Sequence, residues 1–354
     1  MSTSPLLIYA LHSGNLYGTE RMALATAQGL AREFDCVIMA PEGAALAEAR
    51  RLGFTVAPFA GAAEFAVALW KLLRNKRRVA FFATGVMHSS ICLALNTFRR
   101  REISHLHLVH GGAQESLSYG RKKKLNGRAV RFVAVSAFVR ERLIANGVAE
   151  GQISVVENFL TDERVASAPQ RKSFDHAGVP RLLVISRLDP EKRVDTLLEA
   201  FERFPELRRF HVRVLGRGWD EDQLRERARR ANLPIEFPGF EPHVDAQLAA
   251  SDLLVHLCPA EPFGLAILEA MAARIPVLTP DSGGAGALIE PGVSGFQFHA
   301  GDAGDLAAAI LRIDRLSANK INGVLEAAAQ VLGTRFGQKG RVAEYRALIE
   351  GNYA

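Results

Sequence analysis

A chain of 354 residues, 48% of them hydrophobic, is long enough for two domains of ordinary size and apolar enough to give each a core. Three isolated cysteines, Cys36, Cys92 and Cys258, make neither a disulfide framework nor a metal-ligand spacing, so a reducing cytoplasm is the expected compartment. The net charge of +6 is unevenly placed: residues 1–170 hold 21 Lys and Arg against 13 Asp and Glu, and residues 171–354 hold 23 against 25. The excess lies in Lys71–Arg78, Arg99–Arg101 and Arg121–Lys124. These runs read either as solvated surface or as a contact for an anionic partner, such as a membrane surface or a phosphorylated glycolipid. No aromatic residues interleave them, which argues against nucleic acid.

No basic segment followed by an apolar one precedes Leu6, so no secretory leader is expected. The most apolar window, Val79 to Phe98, contains His88, Ser89, Ser90 and Asn96 and reads as strand, loop and helix, not as a membrane span. Strand-like runs follow in order: Leu6–Leu11, Cys36–Met39, Val79–Phe82, Leu106–Val109, Phe132–Val135 and Ile153–Val156. They resume at Leu182–Ile185, His211–Leu215, Ile235–Phe237, Leu253–Leu257 and Pro276–Thr279. Continuous Val/Ile/Leu runs separated by helix-length amphipathic stretches predict parallel sheets covered on both faces. Residues 161–180 are polar, carry Pro169 and Pro180, and read as an inter-domain linker. The expected fold is α/β, with two Rossmann-like doubly wound domains and ligand at the carboxyl ends of the strands, in the cleft between them. The last segment reads as a helix.

Chemistry-bearing residues sit where those strands end. After the first strand, His12–Arg21 contains Gly18 and Thr19 and opens into a helix, a place where backbone can approach an anion. His110 follows a buried strand and precedes Gly111 and Gly112, whereas His105 and His107 read as structural. Arg187 and Lys192 share a strand-to-helix loop and could neutralise a diphosphate, or could be exposed loop cations. Gly216 begins a loop ending in Asp220-Glu-Asp222, whose acids are better explained by a helix start than by a metal. Glu261 and Glu269 stand eight residues apart around the helix start Phe263-Gly264-Leu265. In a helix that is about 12 Å, too far for one dyad on one bond and suited to the two ends of a long ligand such as a nucleotide sugar.

Together these motifs resemble the retaining glycosyltransferases of family four, the group 1 transferases with the GT-B fold. "Arg-Leu-x-x-Glu-Lys" is matched by Arg187 to Lys192, and "Glu-Pro-Phe-Gly-Leu-x-x-x-Glu-Ala-Met-Ala" by Glu261 to Ala272. The glycine loop Ser282–Glu290 with Gly292 to Phe296 is partly kept. The N-terminal half matches more loosely, with Thr19 in place of a second glycine in Gly18-Thr-Glu-Arg21, and Val109-His-Gly111 in place of Val-His-Asp.

The resemblance implies an acceptor domain at residues 1–165, a linker at 166–180, a nucleotide-sugar domain at 181–334, and a C-terminal helix at 335–354 returning to the N-terminal domain. It implies that Arg187 and Lys192 hold the donor diphosphate, that Glu261 binds hydroxyls of the transferred sugar, and that Glu269 binds the ribose. Backbone around Phe263, Gly264 and Leu265, with Gly216 nearby, would meet the donor; His110 would lie against its sugar; Gly18 and Thr19 would face the diphosphate or the acceptor. The implied activity is hexosyl transfer with retained configuration from a nucleotide-diphosphate sugar, a UDP-sugar first, with no tightly bound cofactor and no metal requirement. The acceptor would be a lipopolysaccharide core or lipid-linked glycan, reached from the inner face of the membrane through Arg99–Arg101 and Arg121–Lys124. Two other readings remain: a sugar-nucleotide epimerase of the same fold, and a nucleotide-sugar-binding protein without turnover.

Overall fold

The computed structural model describes residues 5–353 apart from 75, 77, 98–100, 113–114, 172, 176–177 and 242–243. The chain divides into two compact units, Met1–Phe159 with Gln338–Ala354, and Leu160–Gly337. Each is built on a parallel sheet.

The first unit contains β1 (Leu6–Ala10), β2 (Asp35–Ala40), β3 (Thr55–Pro58), β4 (Arg78–Ala83), β5 (Glu102–Val109), β6 (Arg131–Ala134) and β7 (Ile153–Val155). Their order is β3-β2-β1-β4-β5-β6-β7, so the winding direction reverses between β1 and β4. β1 is buried at every position, as a strand covered on both faces must be. Its core packs Ile8, Met39, Phe65, Leu69, Val79 and Phe81. β3 was not foreseen: at this sheet edge it is half exposed and ends in Pro58, so it carries no apolar run.

The helix Gln338–Gly351 closes this unit. Tyr345 is 1% exposed against Phe82, with ring centroids 5.9 Å apart. Asn352 Nδ2 donates to the His105 carbonyl at 3.1 Å, and Arg78 lies over the Tyr353 ring at 4.0 Å. Gly29 leaves room for Val342, whose Cγ2 lies 2.3 Å from where a Cβ would stand.

The second unit contains β8 (Arg181–Ile185), β9 (His211–Leu215), β10 (Ile235–Gly239), β11 (Leu253–Val255), β12 (Val277–Pro280) and β13 (Phe296–Phe298), ordered β10-β9-β8-β11-β12-β13. Here the reversal lies between β8 and β11. β11 ends two residues earlier than its apolar run suggests, which leaves the chain from His256 to Gly264 free to form a loop. Asp252, fully buried, anchors the start of β11 to Arg181 (two contacts of 2.7 Å) and to Arg171 at 3.0 Å. The polar stretch around Phe174 is pinned to this unit too, with Phe174 buried and its N–H donated to Asn322 at 2.8 Å.

Candidate active site

In an open parallel sheet a ligand is expected beyond the carboxyl ends of the strands, where the winding reverses. In the second unit that place is occupied by the loops after β8 and β11. The loop after β8 tightens into a single 3₁₀ turn, Pro190–Lys192, then passes through Arg193 in the left-handed region (φ 54°) into the helix Val194–Arg203. Asp189 ties it down, accepting from the Trp219 N–H at 3.1 Å and pairing with Arg187 at 2.5 Å. Arg187 also meets Glu191 at 2.9 Å, and its guanidinium remains half exposed.

Lys192 is turned inward. Its Nζ donates to Glu261 Oε2 at 2.7 Å, with only 14% and 17% of the two side chains exposed. Burial works against the charge of Lys192, but the Glu261 carboxylate outweighs it and holds the ammonium above the ordinary lysine range. Burial would likewise raise Glu261, yet Lys192 and then His256 bring it below the usual carboxylate range. His256 Nε2 lies 3.6 Å from Glu261 Oε2, and burial keeps this imidazole neutral despite the carboxylate's pull. Cys258 donates to the Glu191 carbonyl at 3.2 Å and has its thiol pushed up to about 11 by burial. The pair is thus a fixed charge couple walled by neutral groups, an arrangement that keeps an ammonium oriented without solvent rearrangement.

Glycines let the surrounding backbones close in. Gly264, at φ 101°, starts the helix Leu265–Ala272, and Phe263 is buried ahead of it. Gly284 donates to the Glu261 carbonyl at 2.7 Å, and a Cβ on it would stand 2.0 Å from the Pro262 carbonyl oxygen. Gly216, at φ 137°, leaves only 1.8 Å between a Cβ and the Ser186 carbonyl oxygen. Gly216→Ala should therefore force the loops after β8 and β9 apart and cost roughly 2–3 kcal/mol. Urea unfolding checks this, and an unchanged midpoint would show that the two loops do not need to touch.

Glu269 lies further along the same helix, a quarter exposed, with Arg164 Nη2 at 3.3 Å; the other arm of Arg164 meets Asp245 at 2.6 Å. The sequence reading gave no site role to Arg164, Asp245, His256 or Cys258. For His256 a signal existed, since a polar residue ends an apolar strand run. For Arg164 none did, because it reaches Glu269 from 105 residues away.

In the first unit the reversal point carries His12 and Thr84, which share both a backbone bond (3.0 Å) and an Nδ1 contact (2.8 Å). His110 follows β5 directly with Nε2 unpartnered, and burial, with His12 and Lys122 adding to it, lowers it to about 4. Gly18 and Thr19 open the helix Gly18–Leu30, whose Glu20 carboxylate is buried and accepts from the Tyr17 N–H at 3.1 Å.

The basic runs need a correction. Lys122 is 7% exposed and faces inward, because the stretch Gly120–Leu125 is a 3₁₀ helix that buries Lys122 and Leu125, three residues apart; Arg121, Lys123 and Lys124 face outward. Arg101 bonds the Lys76 carbonyl at 3.2 Å, while Arg99 and Arg100 lie outside the described residues. Among the described residues no helix is long and apolar enough to cross a membrane, and no group of three or more His, Cys, Asp or Glu is placed to hold a metal.

Comparison with known proteins places these features in context. Residues 17–164 match the sequence model of Glycosyltransferase Family 4, and residues 168–327 that of Glycosyl transferases group 1. The putative colanic acid biosynthesis glycosyltransferase WcaL of Salmonella typhimurium is 28% identical over 286 residues, 77% of this chain and 70% of that protein. The lipopolysaccharide core biosynthesis glycosyltransferase LpsE of Rhizobium meliloti is 30% identical over 164 residues, 46% of this chain and 47% of that protein. The chain spans about half the length of LpsE and of several other curated relatives it matches. Among solved structures, Anabaena Alr3699/HepE in complex with UDP-glucose has the same fold, with a TM-score of 0.79 at 20% identity over 97% of this chain and 99% of that one. Two parallel-sheet units, the motifs at their strand ends and both sequence models agree: the chain belongs to the group 1 glycosyltransferases of family 4, with the GT-B fold.

Proposed function

We propose that this protein moves a sugar, with retention of configuration, from a UDP-sugar to a hydroxyl on a cell-envelope glycan such as a lipopolysaccharide core or lipid-linked polysaccharide. The observation that carries this reading is the buried Lys192–Glu261 pair at the winding reversal of the second sheet, with the exposed Arg187 on the same loop. The names of WcaL and LpsE support the acceptor class, and the UDP-glucose held by HepE supports the donor class.

In this reading Lys192 and Arg187 take the diphosphate, and Glu261, already oriented by Lys192, accepts hydroxyls of the transferred sugar. The bond from the anomeric carbon to the leaving phosphate oxygen breaks. The acceptor oxygen bonds to that carbon on the same face, and its proton passes to the leaving phosphate. The protein then acts by orientation and by stabilising charge on the leaving group. Glu269, steadied by Arg164, takes the ribose hydroxyls.

Thermal stabilisation by a panel of UDP-, GDP- and ADP-sugars, followed together with slow donor hydrolysis, tests this. One nucleotide sugar should stabilise the protein selectively. Glu269→Ala should raise the donor KM on the order of tenfold, the loss of one charged hydrogen-bond acceptor, with a smaller effect on kcat. An unchanged KM would remove the ribose assignment, and silence across the panel would remove the donor reading.

A further inference from the structure

Lys122 poses a problem that the transferase reading does not absorb. A lysine on a basic surface run should keep its ammonium in water, yet this one is 7% exposed. Its Nζ donates to the Ser118 carbonyl one turn earlier, and among the described residues no carboxylate pairs with it. Burial pulls it down to about 8, so it still carries its charge at neutral pH. A buried cation without a counter-charge is costly unless something supplies one.

Burial, with the charge of Lys122 adding to it, lowers His12, His107 and His110. Burial holds His107 and His110 below the ordinary histidine range, and loss of water around its inner edge lowers His12 as well although its outer edge is exposed; all three are neutral and none offers a negative charge. Glu20, the acid that acts on His12, is committed to the Tyr17 N–H. His12 is open to solvent and held by Thr84, and His110 has a buried, unpartnered Nε2. Gly112 leaves room for Ser118, whose Oγ would lie 1.9 Å from a Cβ there. Hence His12 and His110 stand just past the carboxyl ends of β1 and β5, beside the winding reversal where this fold takes ligands, and Lys122 reaches Ser118, which lies against Gly112 just beyond His110.

We propose that Lys122, His110 and His12 form an anion subsite in the first unit that binds a phosphate or carboxylate carried by the acceptor. The assignment to the acceptor rests on the transferase reading above. It makes the substrate an acidic glycan or phosphoglycan whose charged substituent lies near the receiving hydroxyl.

The full-length protein, with its histidines isotopically labelled, is titrated with inorganic phosphate at about pH 7.5, with chloride keeping the ionic strength constant. The ring resonances of His12 and His110 should shift saturably with phosphate and not with chloride. In Lys122→Met the phosphate affinity should fall by at least about tenfold, as expected for one charge-assisted contact, while thermal stabilisation by UDP stays as in the wild type. Lys122→Gln gives the same comparison should the methionine variant fold poorly. No saturable shift, or equal shifts in wild type and variants, would overturn the subsite. Displacement of phosphate from His110 by UDP would assign the anion to the donor and overturn the acceptor assignment. Phosphate shifts without any stabilisation by UDP would instead sink the donor reading, and the acceptor assignment with it.

Discussion

Lys192→Ala should cut glycosyl transfer by about 2–4 kcal/mol in barrier, on the order of 30- to 1,000-fold, the range for removing one preorganised donor from a developing negative charge. The ammonium is held 2.7 Å from Glu261 and largely out of water, so in the proposed reaction little reorganisation is needed as charge builds on the leaving phosphate. The same substitution leaves Glu261 buried and unpaired, at a cost in stability of about 3–5 kcal/mol. Activity could then fall merely because less protein is folded. Lys192→Met combined with Glu261→Gln separates the two effects: it removes both charges, should recover most of the stability, and should stay nearly inactive. Single-turnover rates measured beside urea midpoints decide the matter. A folded Lys192→Ala variant with near-normal turnover would end the catalytic role.

Acid should unfold the first unit well above the pH at which carboxylates alone would do so. His88, His105 and His107 are 0–2% exposed. Burial lowers His88 to about 4 and His105 to about 3, and holds His107 well below the ordinary range. A single Ser89 hydroxyl bridges the last two, at 3.0 and 2.8 Å. In the unfolded chain these rings take up a proton near pH 6.5. The folded state cannot follow until about pH 4, so across that window the unfolded state binds more protons. Stability is therefore complete above pH 6.5 and lost as the pH falls. Each ring contributes up to roughly 1.4 kcal/mol per pH unit, and three together up to roughly 4. Against a typical domain stability of about 5–15 kcal/mol, that unfolds the unit between roughly pH 4 and 5. His88 offers the control, since it packs against Phe59 and Phe65 (ring centroids 5.3 and 4.6 Å) with Nδ1 unpartnered. With His110 of the same unit also lowered to about 4, His88→Leu should lower the pH slope of the urea midpoint by up to about a quarter. An unchanged slope would show that His88 does not stay neutral in the fold.

The parts of this structure legible in the sequence are those written locally. Apolar runs of four to six residues announced the central strands because a parallel strand buries both faces. Glu261 to Ala272 declared its helix start and both glutamates through contiguous residues. What was not legible depends on partners distant in the chain. β3 carries no apolar run because half of it faces water. Arg164 and Asp245 mean nothing until the helix bearing Glu269 lies beside them. Lys122 was misread for a related reason: composition reports a basic run, but only the three-residue turn of a 3₁₀ helix shows that one of its lysines points the other way.

The return of Gln338–Gly351 to the first sheet has a consequence for biosynthesis. Residues 6–155 hold every strand of that sheet, yet the Tyr345 ring and the Val342 side chain, which pack against it, are made only after residues 160–337. While the ribosome is still translating, the N-terminal unit carries an open groove over Phe82 and Gly29. Residues 160–337 are complete and can fold before that groove closes. The unit synthesised first is thus finished second, and a chain that stops short of residue 338 yields a sound second unit and a first unit with an exposed apolar seam. A premature stop or a proteolytic cut before residue 338 would be felt in the sheet of residues 6–155.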